Sequence, residues 1–430
     1  MQITRRFFLR SSGALAAYLG LAPVSALAEA VRAASAKPMP VTPGKTLVAI
    51  FLRGGIDGLN LIVPHADEHY YRHRQGLAIP RPGQGDNAAI DLDHTFGLHP
   101  RMAALKPLFD QGHAAALHAV GYDKNTRSHF EEQDTWETGV MGNTLGSDGW
   151  LNRHLQTSTG AGPLRAVALS DTLPRVLRGD ARAFAIRGLE DLGMPDMHGD
   201  AAQVAAALEH AYRTPPEQHR GDARDLLAAT GQVTLDAMAQ LQKVTAQPYT
   251  PAAEYPGSEI GQRLQAAARL IKANLGVEVI EIDFGGWDTH QYQGNGGGGN
   301  FADLVGQLAD ALAAFHRDMG DHMADTLVVT MSDFGRTARE NGTGGTDHGW
   351  GNVMLAVGGP ITARAGRRKS PVITDWPGLA PDQLKDGRDL AHTRDFRDVL
   401  AEVTRHHLGN PNLEVVLPGH TFNPVGLLHG

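Results

Sequence analysis

Asp288 and His290 stand two apart in the segment Gly286-Trp287-Asp288-Thr289-His290. In extended chain both side chains face one side, so both can reach one metal ion. Asp333, in Ser332-Asp333-Phe334-Gly335-Arg336, and His348, in Thr346-Asp347-His348-Gly349-Trp350, offer the same chemistry elsewhere. Asp57 does so in the turn Arg53-Gly54-Gly55-Ile56-Asp57-Gly58. Carboxylates and imidazoles together suit a borderline or hard divalent cation such as Zn, Mn, Mg or Ca. Singly, each has an ordinary explanation: a turn aspartate beside a surface histidine, a strand-end carboxylate capping the next turn, or a flexible glycine loop. Recurrence of one chemistry at several strand ends or loops points to a shared crevice, where α/β sheets place their ligands.

Ser128, preceded by Arg127 and followed by His129, falls at an expected helix start. A hydroxyl there has the helix dipole and open backbone N–H groups beside it, which favours an anion. Near a divalent cation it can ionise and act as a nucleophile. The commoner use of such a serine is as a plain N-cap, and Glu131 three residues on completes a capping box.

Elements must position these groups. The apolar runs Thr46–Leu52, Ala114–Val120, Arg165–Leu169, Glu278–Phe284, Thr326–Met331 and Val353–Val357 read as buried strands. Amphipathic spacing predicts helices at His99–Gln111, Ser128–Thr138, Phe301–Met319 and Asp395–His407. Strands alternating with helices give an α/β domain over residues 46–430, with a mostly parallel central sheet and helices on both faces. Further helical patterns at Ala201–Tyr212, Arg220–Lys243 and Ile260–Leu275 read as a helical insertion at about 200–275 covering one face of the sheet. Asn295–Asn300 lacks the Lys-Ser/Thr of a phosphate loop and reads as a mobile loop beside the cluster.

Residues 1–28 read as a twin-arginine export signal, Thr4-Arg5-Arg6-Phe7-Phe8-Leu9-Arg10, a short apolar stretch, and Ala26-Leu27-Ala28 for cleavage. The mature chain is expected in the periplasm, behind a linker at 29–45. The apolar stretch is too short to span a bilayer and Pro23 interrupts it. The chain has no cysteine, which rules out disulfides and a lipid anchor on cysteine. Losing Arg5, Arg6 and Arg10 takes the net charge from −8 to −11, which argues against nucleic acid or an anionic membrane as partner. No G-x-G-x-x-G follows the first strand, so a dinucleotide site is excluded.

Several segments resemble the alkaline phosphatase superfamily, which includes phosphatases and sulfatases. Asp57 resembles its first metal-binding aspartate, Thr135-Trp136-Glu137-Thr138-Gly139 the end of its nucleophile helix, and Ser332-Asp333-Phe334-Gly335 its S-D-H-G strand end. Asp347-His348-Gly349-Trp350-Gly351-Asn352 resembles the pyrophosphatases' D-H-G-Y-D-N. More closely, Arg53–Asn60, Arg127–Phe130, Asp288–His290 and Ser332–Thr337 resemble an uncharacterised bacterial family of that clan, the domain of unknown function numbered fifteen-oh-one. The resemblance implies an alkaline-phosphatase-like fold and a site for one or two divalent ions. Asp288, His290 and His348 would hold one ion, and Asp57, Asp333 and Ser128 would lie at the other. Ser128 would be the nucleophile, with Arg127 or Arg53 clamping the anion. Three positions depart from the superfamily. Only Thr289 separates Asp288 from His290, Phe334 replaces the second-site histidine, and counting back from Thr138-Gly139 puts the nucleophile position on His129.

The expectation is an exported metal-dependent hydrolase of phosphate or sulfate esters. Its rival is a non-catalytic periplasmic protein that binds metal and an anionic glycan, or an exported protein partner.

Overall fold

A computed structural model describes residues 44–428 apart from 143–145, 161–163, 190–235, 238, 360 and 362–369. The expected signal and linker, the helix Ala201–Tyr212 and most of Arg220–Lys243 lie outside the described residues. In chain order the main elements are β1 Thr46–Leu52, β2 Ala114–Gly121, α1 His129–Thr138, α2 Trp150–Thr157, β3 Ala166–Ala168, β4 Phe184–Ala185, α3 Glu259–Lys272 and β5 Val279–Phe284. They continue with α4 Asn300–Met319, β6 Thr326–Ser332, β7 Asn352–Gly358, β8 Val372–Ile373, β9 Arg394–Asp395 and α5 Phe396–Glu402.

One nine-stranded sheet runs in the order β8-β2-β7-β6-β1-β5-β3-β4, with β9 also paired to β2. Every pairing is parallel except those of β7, which is antiparallel to both β2 and β6. The sheet is therefore mixed and mostly parallel. β1 is buried along its whole length because its residues alternate between two cores. Val48, Ile50 and Leu52 share one core with Leu264 of α3 and Phe301, Leu308 and Leu312 of α4. Leu47, Ala49 and Phe51 share the other with Trp136 of α1, Leu151 of α2 and Leu400 of α5.

Register sets the site. Leu52 lies opposite both Phe284 and Ser332, so β1, β5 and β6 end together. The chain leaving them is Arg53-Gly54-Gly55, Gly285–Asp288 and Asp333. Antiparallel β7 starts at that same edge, so the glycine-rich loop before it arrives there too. β2 also runs toward this edge, and its loop leads into α1.

Several expectations are corrected. His99–Gln111 is not one helix but a 3-10 segment, Pro100–Leu105, followed by a short α-helix, Lys106–Asp110. Pro107 has no N–H to continue the earlier turn, and Met102 leaves helical angles at φ −92° and ψ 15°. Helix α1 forms as expected, with Gly139 left-handed at its C-terminus, but the Ser128 side chain makes no cap. Glu132, not Glu131, turns back, accepting from Thr126 N, Thr126 Oγ1 and Tyr122 Oη. Arg165–Leu169 forms the strand β3 in its middle three residues, whereas the two-residue strands β4, β8 and β9, and a small sheet of Ile62–Val63, Gly97–Leu98 and Ile90–Asp91, are too short to show a period in sequence. Among the described residues no helix is long and apolar enough to cross a membrane.

His118 gives the sheet a measurable acid sensitivity. It is fully buried in β2, its Nε2–H donates to Ile62 O at 3.1 Å, and its Nδ1 accepts from Ala119 N at 2.8 Å. Burial pushes its pKa down to about 4 from the ordinary 6.5. Between those values the unfolded chain takes a proton that the fold refuses, so stability is lost as pH falls. The expected loss is about 3 kcal/mol over that range. Urea unfolding at pH 7 and pH 4.5 should show a smaller decline for His118→Met than for the parent chain. Equal declines would mean that His118 does not carry the effect.

Candidate metal centre

The turn after β1 can reach the other loops because it has no side chains at two positions. Gly54 (φ +121°) lies so close to the Asp288 backbone that a Cβ would stand 2.5 Å from Asp288 N. A Cβ on Gly55 (φ +71°) would meet the Phe334 ring at 2.5 Å. Ser332 stitches the turn to β6, donating to Leu52 O at 2.6 Å and accepting from Ile56 N at 3.0 Å. The buried Arg336 guanidinium then ties the loops together. It donates to Gly54 O, to Gly55 O at 2.6 Å, Trp287 O at 3.0 Å, Thr346 O at 3.1 Å and Asp288 Oδ1 at 2.5 Å.

Asp288 Oδ1 is the focus of the cluster. His290 Nε2 lies 3.1 Å from it, His348 Nε2 3.2 Å and His129 Nε2 3.5 Å. His290 Nε2 and His348 Nε2 are 3.0 Å apart. The other nitrogen of each ring faces an oxygen. His129 Nδ1 meets Asp333 Oδ2 at 2.5 Å, His290 Nδ1 meets Asp347 Oδ1 at 2.9 Å, and His348 Nδ1 meets Arg127 O at 2.8 Å. A carbonyl or carboxylate oxygen can only accept, so each Nδ1 carries a proton, and a ring in its neutral form turns a bare Nε2 toward Asp288. That is how protein metal sites fix their histidines. His129 Nε2 is buried without a hydrogen-bond partner, an orphan that a cation would satisfy. The ligand atoms of His129, Asp288 and His348 all lie within 4.8 Å of one another, so these three can hold one ion.

The surrounding groups tune the set. Asp333 is fully buried and is held by Gln133 Nε2 at 2.9 Å and Gly54 N at 3.2 Å. Its hydrogen bond holds His129 above the ordinary imidazole range despite partial burial. Burial pushes His348 down. Burial also works against ionisation of Asp288, but Arg336 and the imidazoles outweigh it and hold the carboxyl below its ordinary range. Phe334 stacks beside both rings, 4.7 Å from His129 and 4.6 Å from His348. Phe334 thus walls in two of the candidate ligands.

Of the positions singled out in sequence, Asp288, His290 and His348 come together, and Asp333 joins them through His129. Asp57 is placed otherwise. Its Oδ2 accepts from Arg74 Nη1 at 2.6 Å and Gln293 Nε2 at 2.5 Å, and its Oδ1 is buried without a partner. Ser128 is half-buried, and the imidazole of its neighbour, not its hydroxyl, meets Asp333 and Asp288. Arg53 is committed to Asp283 at 2.5 Å and to Glu137 at 3.2 Å. Arg127, in left-handed backbone at φ 60°, reaches Asp386 at 2.7 Å and Asp389 at 2.6 Å and lies over the Trp350 ring. Sequence reading gave no role to Arg336 or Gln133. For His129 a signal existed, since the count back from Thr138-Gly139 ends on it.

No curated protein matches the chain. The family model described as Protein of unknown function (DUF1501) matches residues 44–370, which takes in every residue of this centre, and the chain belongs to that family.

Proposed function

We propose that the chain is an exported hydrolase of phosphate or sulfate esters built around a single divalent ion. The observation that carries this is the convergence of three Nε2 atoms on Asp288 Oδ1, each ring pinned at Nδ1 by an oxygen. Asp288, His129 and His348 would hold the ion, with His290 beside them. A divalent ion there would supply Lewis-acid chemistry, lowering the pKa of water and polarising an ester oxygen. The chain's own residues orient and charge the site: Asp333 and Asp347 fix two rings, and Arg336 fixes Asp288. Arg388, 43% exposed, donates to His348 O at 2.7 Å and pairs with Asp389 only at 3.7 Å, which leaves it the more open cation for an anionic group.

Two parts of the expectation need revision within this proposal. Asp57 neutralises Arg74, and Asp333 is spent on His129, Gln133 and Gly54, which supports one ion rather than two. Water, not Ser128, is assigned the attack, because among the described contacts of Asp288, Asp333, His290 and His348 none is to the Ser128 hydroxyl. Exported protein should therefore carry about one divalent ion per chain. Chelation should abolish hydrolysis of nitrophenyl phosphate or sulfate, and Ser128→Ala should keep turnover within about twofold. Turnover lost in Ser128→Ala with its metal retained would restore the serine nucleophile.

The non-catalytic rival is favoured by one observation: both candidate clamps, Arg53 and Arg127, are tied to carboxylates. An ion bound with no ester turned over would support it.

A further inference from the structure

We propose that Phe130 and Tyr292 form an aromatic rim at the metal centre that grips the flat, apolar face of a ring on the substrate's alcohol portion. The inference rests on the metal-centre reading and adds a substrate class to it. Among the described residues three large hydrophobic side chains stand out as exposed: Phe130 at 89%, Tyr292 at 78% and Val415 at 42%. The two most exposed flank candidate ligands. Phe130 directly follows His129, and Tyr292 lies two after His290, so their Cα atoms sit within about 7 Å of those ligands' own.

Neither ring serves the fold. Helix α1 turns Thr135 and Trp136 into the protein and leaves Phe130 in solvent, at a position in its first turn where a polar residue would serve the helix as well. Tyr292 is held in the left-handed region at φ 51°, which a bulky side chain rarely adopts, while its N–H donates to Thr343 O at 3.3 Å. Strained backbone of this kind persists where the surroundings hold it, most often at binding sites. An exposed Phe and Tyr beside a cluster of metal-ligating groups match the usual make-up of a ligand site, a few polar groups with aromatic walls. Ring stacking of this kind is commonly worth about tenfold in affinity.

The test is binding to purified protein loaded with whichever of zinc, manganese, magnesium or calcium it retains. Methyl phosphate is compared with phenyl phosphate and glucose 1-phosphate by calorimetry. Wild type should bind at least one ring phosphate about tenfold more tightly than methyl phosphate. Which ring gains identifies the source as aryl or sugar. The preference should vanish in the double variant Phe130→Ala, Tyr292→Ala, with metal content unchanged, and survive in Tyr292→Phe. Metal uptake with no ring preference, or a preference that survives the double variant, would overturn the rim alone. A wild-type chain that takes up no ion would overturn the metal centre and the rim with it.

Discussion

His348→Ala is expected to fold, to bind its divalent ion at least about a hundredfold more weakly, and to lose ester hydrolysis with it. The magnitude follows from what replacing groups one shell further out usually costs, about 10–100-fold. His348 is the only one of the three histidines whose Nδ1 is held by a backbone carbonyl, that of Arg127. Its tautomer is therefore fixed by the chain path and not by another titrating group. The companion Asp333→Asn keeps the shape but removes the carboxylate from His129 Nδ1. It should fall in the 10–100-fold range, weaker in effect than loss of a ligand. The measurement is metal retained after dialysis against a buffered free-ion series, beside the unfolding midpoint of each variant. Unchanged affinity in His348→Ala would remove this histidine from the centre. A larger loss in Asp333→Asn than in His348→Ala would put the ion on the Asp333 side.

The second large effect concerns stability. Arg74→Met should destabilise the protein by about 3–5 kcal/mol, because it strands the Asp57 carboxylate in the interior without its cation. Arg74 and Asp57 are both fully buried. The guanidinium also donates to Asn60 Oδ1 at 2.7 Å, Thr337 O at 2.9 Å and Ala338 O at 3.0 Å. The lost partners thus include two backbone carbonyls of the chain beyond β6, close to Arg336. The double variant Arg74→Met, Asp57→Leu should recover much of the loss, since an apolar replacement of both members leaves no lone charge. Chemical denaturation of the metal-free chains measures this. If divalent ions restored the single variant's stability, Asp57 would be acting as a ligand after all, through the oxygen that now has no partner.

Much of the framework was legible because its signals are local. Mostly apolar runs gave β1, β2, β5, β6 and β7 to within a residue or two, since a strand buried on both faces leaves few polar positions; His118 in β2 and Glu281 in β5 are such exceptions. Gly139 marked the end of α1 because a left-handed C-cap favours glycine. The failures were also physical. His99–Gln111 kept helical spacing while Pro107 in its interior forbade one continuous helix. Direction was invisible for β7, whose buried run reads alike whether parallel or antiparallel.

For the site, the sequence by itself determined which groups were available: Asp288, His290, Asp333 and His348 are metal-ligating types wherever they fall, and strand ends had to gather them at one edge. Only the tertiary structure decided their partners. It set His129 rather than Ser128 against Asp333, closed Asp57 onto Arg74, and spent Arg53 and Arg127 on carboxylates. The reason is that a charged group in a folded interior is neutralised by whatever opposite charge the packing brings within a few ångströms, however distant in sequence. Arg74 reaches Asp57 across 17 positions, and His129 reaches Asp333 across 204. No local pattern encodes those separations; they follow from the register of β1, β5 and β6, which ends three loops at one level and leaves the side chains there to find their partners.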